Sequence, residues 1–412
     1  MLCSAIRKLS TIGLLATVSL AAPLQADDGS NESLAAAIAA GDASLDLRYR
    51  YEFVDQDTFA ENANASTLRL RLNYKTDQWR DWSGFLEFDH VAEVIVDDFN
   101  SGQGTSGPGR DQYPGVVDPD GSDLNQLYLQ FAPNDDWRTR IGRQRILLDN
   151  QRFVGGVGWR QNEQTYDAVS VQYGGFEYTK VFYSYVANAN RIFGSEVPAG
   201  DHDQDTHLLN VSVGLSKDWT AVGYAYLIDN DDSTGFSTNT LGLRVNGGVP
   251  LGDGRLALLG EIATQSEAGD ATASFDANYL HVDGTWTFEQ LSLGIGFESL
   301  GSDNDQGFRT PLATLHAFNG WADQFLGTPS DGLEDLYVTL GYKIEGWSLK
   351  LVYHDFSADA GSSDFGSEID LSAGRSIGKR YKLLLKLAAF DADAASSRSD
   401  TTKAWLMLTA GF

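Results

Sequence analysis

The stretch SLDLRYRYEFV, residues 44–54, sorts its side chains by parity. Leu45, Leu47, Tyr49, Tyr51 and Phe53 fall on one face of an extended chain, and Asp46, Arg48, Arg50 and Glu52 on the other. A strand with one face so apolar and the other so charged separates two different solvents. The next segment repeats the division, with Leu68, Leu70, Leu72 and Tyr74 against Arg69, Arg71, Asn73 and Lys75. The pattern returns at Leu127, Leu129 and Phe131, at His207 to Leu215, and at Val222, Tyr224 and Tyr226. It is still present at Leu336 to Tyr342, Leu349 to Tyr353 and Leu383 to Leu387, and it ends with Ala404, Leu406, Leu408, Ala410 and Phe412.

A soluble sandwich alternates too, but three features favour a lipid-facing surface. The segments run about ten residues, the length a tilted strand needs to cross a bilayer. Short turns take turns with long polar loops. Trp79, Trp82, Trp137, Trp219, Trp347, Tyr74, Tyr342 and Tyr381 cluster at segment ends, as interfacial girdles do. The expected fold is all-β, a transmembrane up-and-down antiparallel barrel of about eighteen strands with short periplasmic turns and long extracellular loops. Turns are expected near Thr76–Asp81, Pro133–Asp136, Gly174-Gly175, Ser216–Asp218, Asn246–Gly254, Glu289-Gln290, Lys343–Gly346 and Ile377–Arg380. An even strand count places both termini in the periplasm. Parity fails around Ile141–Ile146 and Phe176–Tyr185, where bulges or bends are expected.

The chain opens with Arg7 and Lys8, an apolar run from Ile12 to Ala22, and Pro23-Leu24-Gln25-Ala26 before Asp27-Asp28. This reads as a secretory signal peptide, residues 1–26, cleaved after Ala26. Cys3, the single cysteine, leaves with it, so thiol chemistry is excluded from the mature chain. Residues 27–43 form a short periplasmic segment, with Ser33 to Ala40 able to make one or two helical turns before Gly41. The barrel proper is residues 44–412, and a terminal aromatic such as Phe412 looks like the assembly signal of the Gram-negative outer membrane. The formal net charge of −27 argues against a nucleic-acid partner. The partners expected instead are outer-membrane lipid and lipopolysaccharide.

In a closed barrel the last strand lies beside the first. Taking the polar parity as lumen-facing puts Lys382 and Lys386, then Lys403, then Arg48 and Arg50, then Arg69, Arg71 and Lys75 on four adjacent strands. Glu368 and Asp370 flank them on one side, and Glu87, Asp89 and Glu93 on the other. Like charges about 5–7 Å apart repel and need partners. One reading is a ladder of internal salt bridges; the other is a basic wall facing an acidic one, which orients a permeating anion. Arg140, Arg143, Arg145, Arg152 and Arg160 add a second basic group around the fifth strand and its loop, which favours anions. Two loops are long enough to be functional: Asp97 to Ser122, expected as a solvated acidic exterior, and Ser299 to Gly332, expected to fold inward.

GRQRILLDNQRFVGGVGWRQNEQTYDAV, residues 142–169, resembles a signature of the bacterial alginate-export channel family. So does FRTPLATLHAFNGWADQFLGTPSDGLEDLYVTLGYK, residues 308–343, and the opening strand LDLRYRYEFVDQ from Leu45 fits as well. The resemblance implies a monomeric eighteen-stranded outer-membrane barrel with an arginine-rich lumen that passes an anionic polysaccharide. It singles out Arg143, Gln144, Arg152, Trp159, Arg160, His316, Trp321 and Asp323, and Arg309, His316, Trp321 and Asp323 mark a candidate constriction loop.

Enzymatic readings fare worse. The six histidines are scattered, with no HExxH, no His-x-Ser pair and no GxSxG. Asp201-His202-Asp203, Asp97-Asp98 and Asp231-Asp232 read as charged loop tips, so no catalytic residue, metal or cofactor is expected. The expectation is an anion-preferring diffusion channel for acidic sugars, oligosaccharides or small carboxylates. Export of an anionic polysaccharide such as alginate is the alternative, and a non-conducting structural or adhesive barrel the next.

Overall fold

The computed structural model describes residues 33–195 and 197–412, so the expected leader lies outside the described residues. The first barrel strands are β1 (Asp42–Gln56), β2 (Ala63–Lys75), β3 (Trp82–Asp98), β4 (Gly121–Asn134), β5 (Trp137–Gln144) and β6 (Thr165–Phe176). There follow β7 (Thr179–Asn190), β8 (Asp201–Gly214), β9 (Trp219–Ile228), β10 (Thr238–Leu251), β11 (Gly254–Glu267), β12 (Asp276–Phe288) and β13 (Leu291–Leu300). A two-residue hairpin, β14 (Ser302–Asp303) and β15 (Gln306–Gly307), sits within the next loop. The barrel resumes with β16 (Leu333–Ile344), β17 (Trp347–Ser357), β18 (Asp364–Ile377), β19 (Tyr381–Ala392) and β20 (Thr401–Gly411).

Hairpin apart, the strands form one eighteen-stranded sheet in which each pairs antiparallel with the next. It closes where β1 meets β20, with Tyr49 opposite Leu408 and Arg50 opposite Met407. Leu45 and Phe412 then exchange backbone hydrogen bonds of 2.9 and 3.0 Å, so the final residue seals the seam. Closure leaves no free edge, the condition lipid imposes on a spanning sheet. Leu70, Leu72, Leu127, Leu129, Leu241, Leu243, Leu385 and Leu387 are exposed on the outside, while Arg48, Arg50, Glu52, Arg69 and Arg71 are buried inside. The parity of the opening stretch is therefore the division between lipid and interior.

The eight short connections fall where the turn residues placed them, with one shift. The β6–β7 turn is Glu177-Tyr178 rather than Gly174-Gly175, since the register slips between Tyr173 and Phe176 and Tyr178 takes the positive φ of 59°. Further slips lie at Asp167/Ala168 and Val186/Asn188, and Gly142 at φ 124° bends β5. The first strand begins at Asp42, two residues before Ser44. A six-residue helix, α1 (Leu34–Ala39), precedes it, with the Ser33 hydroxyl accepting from Ala36 N–H. Asp77 N–H donates to Ala37 O, fastening α1 to the β2–β3 turn, so α1 and Phe412 lie at the short-turn rim. No helix among the described residues is long and apolar enough to cross a membrane, which says nothing of a barrel.

Candidate functional site: two loops clasped inside the barrel

Two connections turn inward and meet: residues 145–164, between β5 and β6, and residues 301–332, between β13 and β16. Val154 and Leu312 form a parallel bridge, and Gly155 N–H donates to Leu312 O at 2.8 Å. Thr314 N–H donates to Gln151 O at 3.0 Å, and Val157 N–H to the Thr314 hydroxyl at 3.0 Å. A Cβ on Gly155 would collide with that hydroxyl, so the glycine permits the close approach. Phe153 anchors the pair from below, its ring 5.2 Å from Tyr279, 5.3 Å from Tyr224 and 5.9 Å from Phe308.

The first loop rests on the arginines of β1 and β2. Arg48 donates to Gln161 Oε1 at 2.9 Å, to Gly158 O at 2.8 Å and to Arg160 O. Arg50 donates to Trp159 O and to Glu52 at 2.6 Å, its guanidinium 4.3 Å from the Trp159 ring centre. Arg69 reaches Gln161 O at 3.4 Å, and Arg71 binds Asp89 through two bonds and Glu163 at 2.8 Å. Arg145 pairs with Glu87 and Glu163. Burial would raise the Glu163 carboxyl, but Arg71 and Arg145 outweigh it and hold the group down at about 2. The nominally exterior loop after β3 also contributes, since Asp118 accepts from Gln161 N–H at 2.8 Å and lies 3.5 Å from Arg50.

The second loop is held by the neighbouring wall. Trp321 N–H donates to Asp370 at 3.2 Å and Ala322 N–H to Glu368 at 2.7 Å. Asp323 accepts from His316 Nδ1 at 2.7 Å and from Lys403 at 2.8 Å, with Arg160 of the other loop 3.5 Å away. Lys386 donates to His316 Nε2 at 2.7 Å and sits among Trp321, Trp159 and Trp405, 3.7, 4.2 and 5.2 Å from their ring centres. Burial pushes His316 down to about 3, with Lys386 adding to it and Asp323 opposing, so the imidazole is neutral and accepts from the ammonium. Arg152 crosses between the loops, binding Glu298 at 2.6 Å and Asn319 at 2.9 Å.

The structure thus gathers Arg48, Arg50, Arg69, Arg71, Arg145, Arg152, Arg160, Lys386, Lys403, His316, Trp321 and Asp323 in one packed network. Other expected members lie apart. Lys75 and Lys382 are exposed at the short-turn rim, Arg143 pairs with Asp167 at 2.8 Å beside that network, and Arg309 binds Gln306 and Gly235 O at the outer end. Glu93 is half-buried on β3. The picture of an acidic wall across an open lumen from a basic one changes accordingly. Glu87 and Asp89 bond Arg145 and Arg71 directly, Glu368 and Asp370 hold loop backbone, and the loops fill the space between. Sequence reading missed Gln161, Glu163, Asp118, Glu298 and Asn319 as partners, because four of them lie in loops, where parity gives no direction.

On the short-turn side of the clasp the interior stays hollow. One cavity of about 420 Å³ is lined by Arg138, Arg140, Lys180, Gln144, Gln172 and Asp149. Another of about 470 Å³ lies under Phe318 to Trp321, with Lys350, Tyr337, Asp283 and His354 on its wall. Among the described residues no group of three or more His, Asp or Glu side chains is placed to hold a metal ion.

The chain matches a family model described as alginate export over residues 41–293, more than half of its length. The chain belongs to the alginate export family. The family match takes in the opening strand and the 142–169 stretch, and it ends before the 308–343 stretch. Among solved structures, OccK9 (OpdG) of Pseudomonas aeruginosa is similar with a TM-score of 0.71 at 14% identity, over 91% of this chain and 99% of that one. OccK3 (OpdO) of the same organism gives 0.69 at 12%, over 91% and 96%, and OccAB4 of Acinetobacter baumannii gives 0.68 at 12%, over 90% and 98%. Identities so low speak for the fold alone. No curated protein matches the chain. Family and fold together make this an outer-membrane, porin-like β-barrel.

Proposed function

We propose that this family member is a diffusion channel for anionic solutes, acidic sugars or oligosaccharides or small carboxylates, that works as a monomer with both termini in the periplasm. The observation that carries the reading is the hollow beside β5–β8, where Arg138, Arg140 and Lys180 line a cavity with Asp149 as the one carboxylate on the lining. Most other interior cations are spent on loop oxygens and carboxylates, Lys350 of β17 excepted, whereas these three line the hollow together. Arg140 donates to Gln130 at 2.9 Å and lies 4.8 Å from the Tyr128 ring, contacts that orient the guanidinium without neutralising it. The reading assigns no catalysis.

Liposome swelling tests it. Proteoliposomes are expected to admit glucuronate faster than a neutral sugar of equal size, and Gln at Arg138, Arg140 and Lys180 should erase the difference. Equal rates in the unaltered protein would contradict anion preference. The family description favours a second reading, export of an anionic polysaccharide such as alginate. The loop-filled interior favours a third, a barrel that does not conduct, and a complete absence of swelling with any solute supports that one.

A further inference from the structure

Asp323 is a carboxylate buried among cations that its own loop does not supply. Its side chain is about 5% exposed, with Lys403 of β20 at 2.8 Å, Arg160 of the 145–164 loop at 3.5 Å and neutral His316 at 2.7 Å. Arg50 and Lys386 stand one residue further out, Arg50 on Glu52 and Lys386 on His316. Without Asp323 the donors of Lys403, Arg160 and His316 would converge on a site shaped for one carboxylate. Asp323 holds φ 61° and Asn319 53°, the left-handed region that Asp and Asn enter more readily than other non-glycine residues. Trp321, two residues away, borders the larger cavity, where Lys350 lies 5.8 Å and Lys386 3.7 Å from its ring centre. Lys350 lines that cavity together with Asp283, Glu298 and Asp335, Lys386 lies on the same indole, and Lys403 and Arg160 hold Asp323 two residues on.

We propose that Asp323 is an internal stand-in for the solute: it occupies a carboxylate-binding site built by Arg160, Lys403 and His316, and a permeating carboxylate opens the clasp by taking its place. The exchange swaps one anion for another, so the cations never stand bare, which in a low-dielectric interior is the costly alternative. Asp323 is the charged tie from its loop to β20 and to the 145–164 loop, alongside the Val154–Leu312 bridge and the Trp159–His316 stack, so its displacement removes one link to each. The inference rests on the anion-channel reading and goes beyond it by naming the gate and its competitor.

Single-channel recording of the full chain in planar bilayers, with sodium glucuronate as the probe, tests it. The unaltered protein should show open probability rising saturably with glucuronate. Asp323→Ala should be open without the probe, at least about tenfold more often, the scale of one lost charged hydrogen bond, and should respond no further. Lys403→Met should abolish the glucuronate response. Asp323→Asn, nearly isosteric, serves if the alanine variant does not assemble, folding being checked by the heat-dependent gel shift of intact barrels. Gating and glucuronate response unchanged in both Asp323 variants would overturn the inference while leaving anion selectivity standing. A cation-selective unaltered protein would remove the reading beneath it, and one that stays shut at every glucuronate concentration overturns the exchange itself.

Discussion

The indole of Trp159 lies flat on the imidazole of His316, ring centres 4.3 Å apart and planes 8° from parallel. The two residues belong to loops that leave the barrel at β5 and at β13, and their stack, with the Val154–Leu312 bridge, makes those loops one body. Trp405 of β20 packs edge-on against both rings, 5.7 and 5.5 Å away, and ties that body to the wall.

Trp159→Ala should loosen the clasp without harming the barrel. The change removes the stack on His316 and the faces under Arg50 and Lys386, a loss of about 3 kcal/mol by analogy with buried aromatic truncations. Bilayer recordings should show open probability up at least tenfold, the cautious end of that estimate, with an unchanged heat-dependent gel shift. Unaltered gating would mean the loops are held by their hydrogen bonds alone.

Arg152 tests those polar ties. Arg152→Met leaves Glu298 buried with Tyr279 at 2.6 Å and Asn319 at 2.7 Å but with its cation gone, a loss of about 3–5 kcal/mol. Hydrogen exchange of backbone amides in residues 150–160 and 312–320 should speed up markedly. Adding Glu298→Gln should recover much of the protection, since no uncompensated charge then remains. A double variant as mobile as the single one contradicts the assignment.

Acid should weaken closure. His316 titrates near 6.5 when free and near 3 in the closed loop, where burial, then Lys386, oppose its charge more than Asp323 favours it. A pKa depressed by closure gives stability that is full above about 6.5 and is lost as pH falls toward 3. Open probability is expected to rise roughly tenfold between pH 7 and pH 5. Arg160, Lys386 and Lys403 also face this cluster, and Glu368 and Asp370 of β18 carry carboxyls beside it. His316→Gln isolates the histidine: it should flatten the profile, and an equally steep profile in that variant would assign it to the carboxyls.

Much of this fold is written in parity. Leu45 to Phe53 against Asp46 to Glu52 divides outside from inside, and the turn residues place seven of eight short turns where the structure has them. The shifted turn lies in β6–β7, where Gly174 and Gly175 imitate a hairpin signal but the register slip carries the strand past them. The adjacency of Lys386, Lys403, Arg48 and Arg69 on consecutive strands follows from closure alone. What those cations touch does not. Arg48 ends on Gly158 O and Arg160 O, more than a hundred residues away, and a backbone carbonyl leaves no trace in sequence. Loop Ser299–Gly332 was legible as an inward-turning segment by length and composition. That residues 145–164 join it was hidden, because the bond between them is a backbone bridge opened by Gly155.

The reversal potential of the purified barrel in planar bilayers under a potassium chloride gradient tests the central claim most directly. An anion channel lined by Arg138, Arg140 and Lys180 predicts a potential displaced toward the chloride equilibrium, and a shift back toward zero when those three residues become Gln. A potential displaced toward the potassium equilibrium in the unaltered protein would contradict the account.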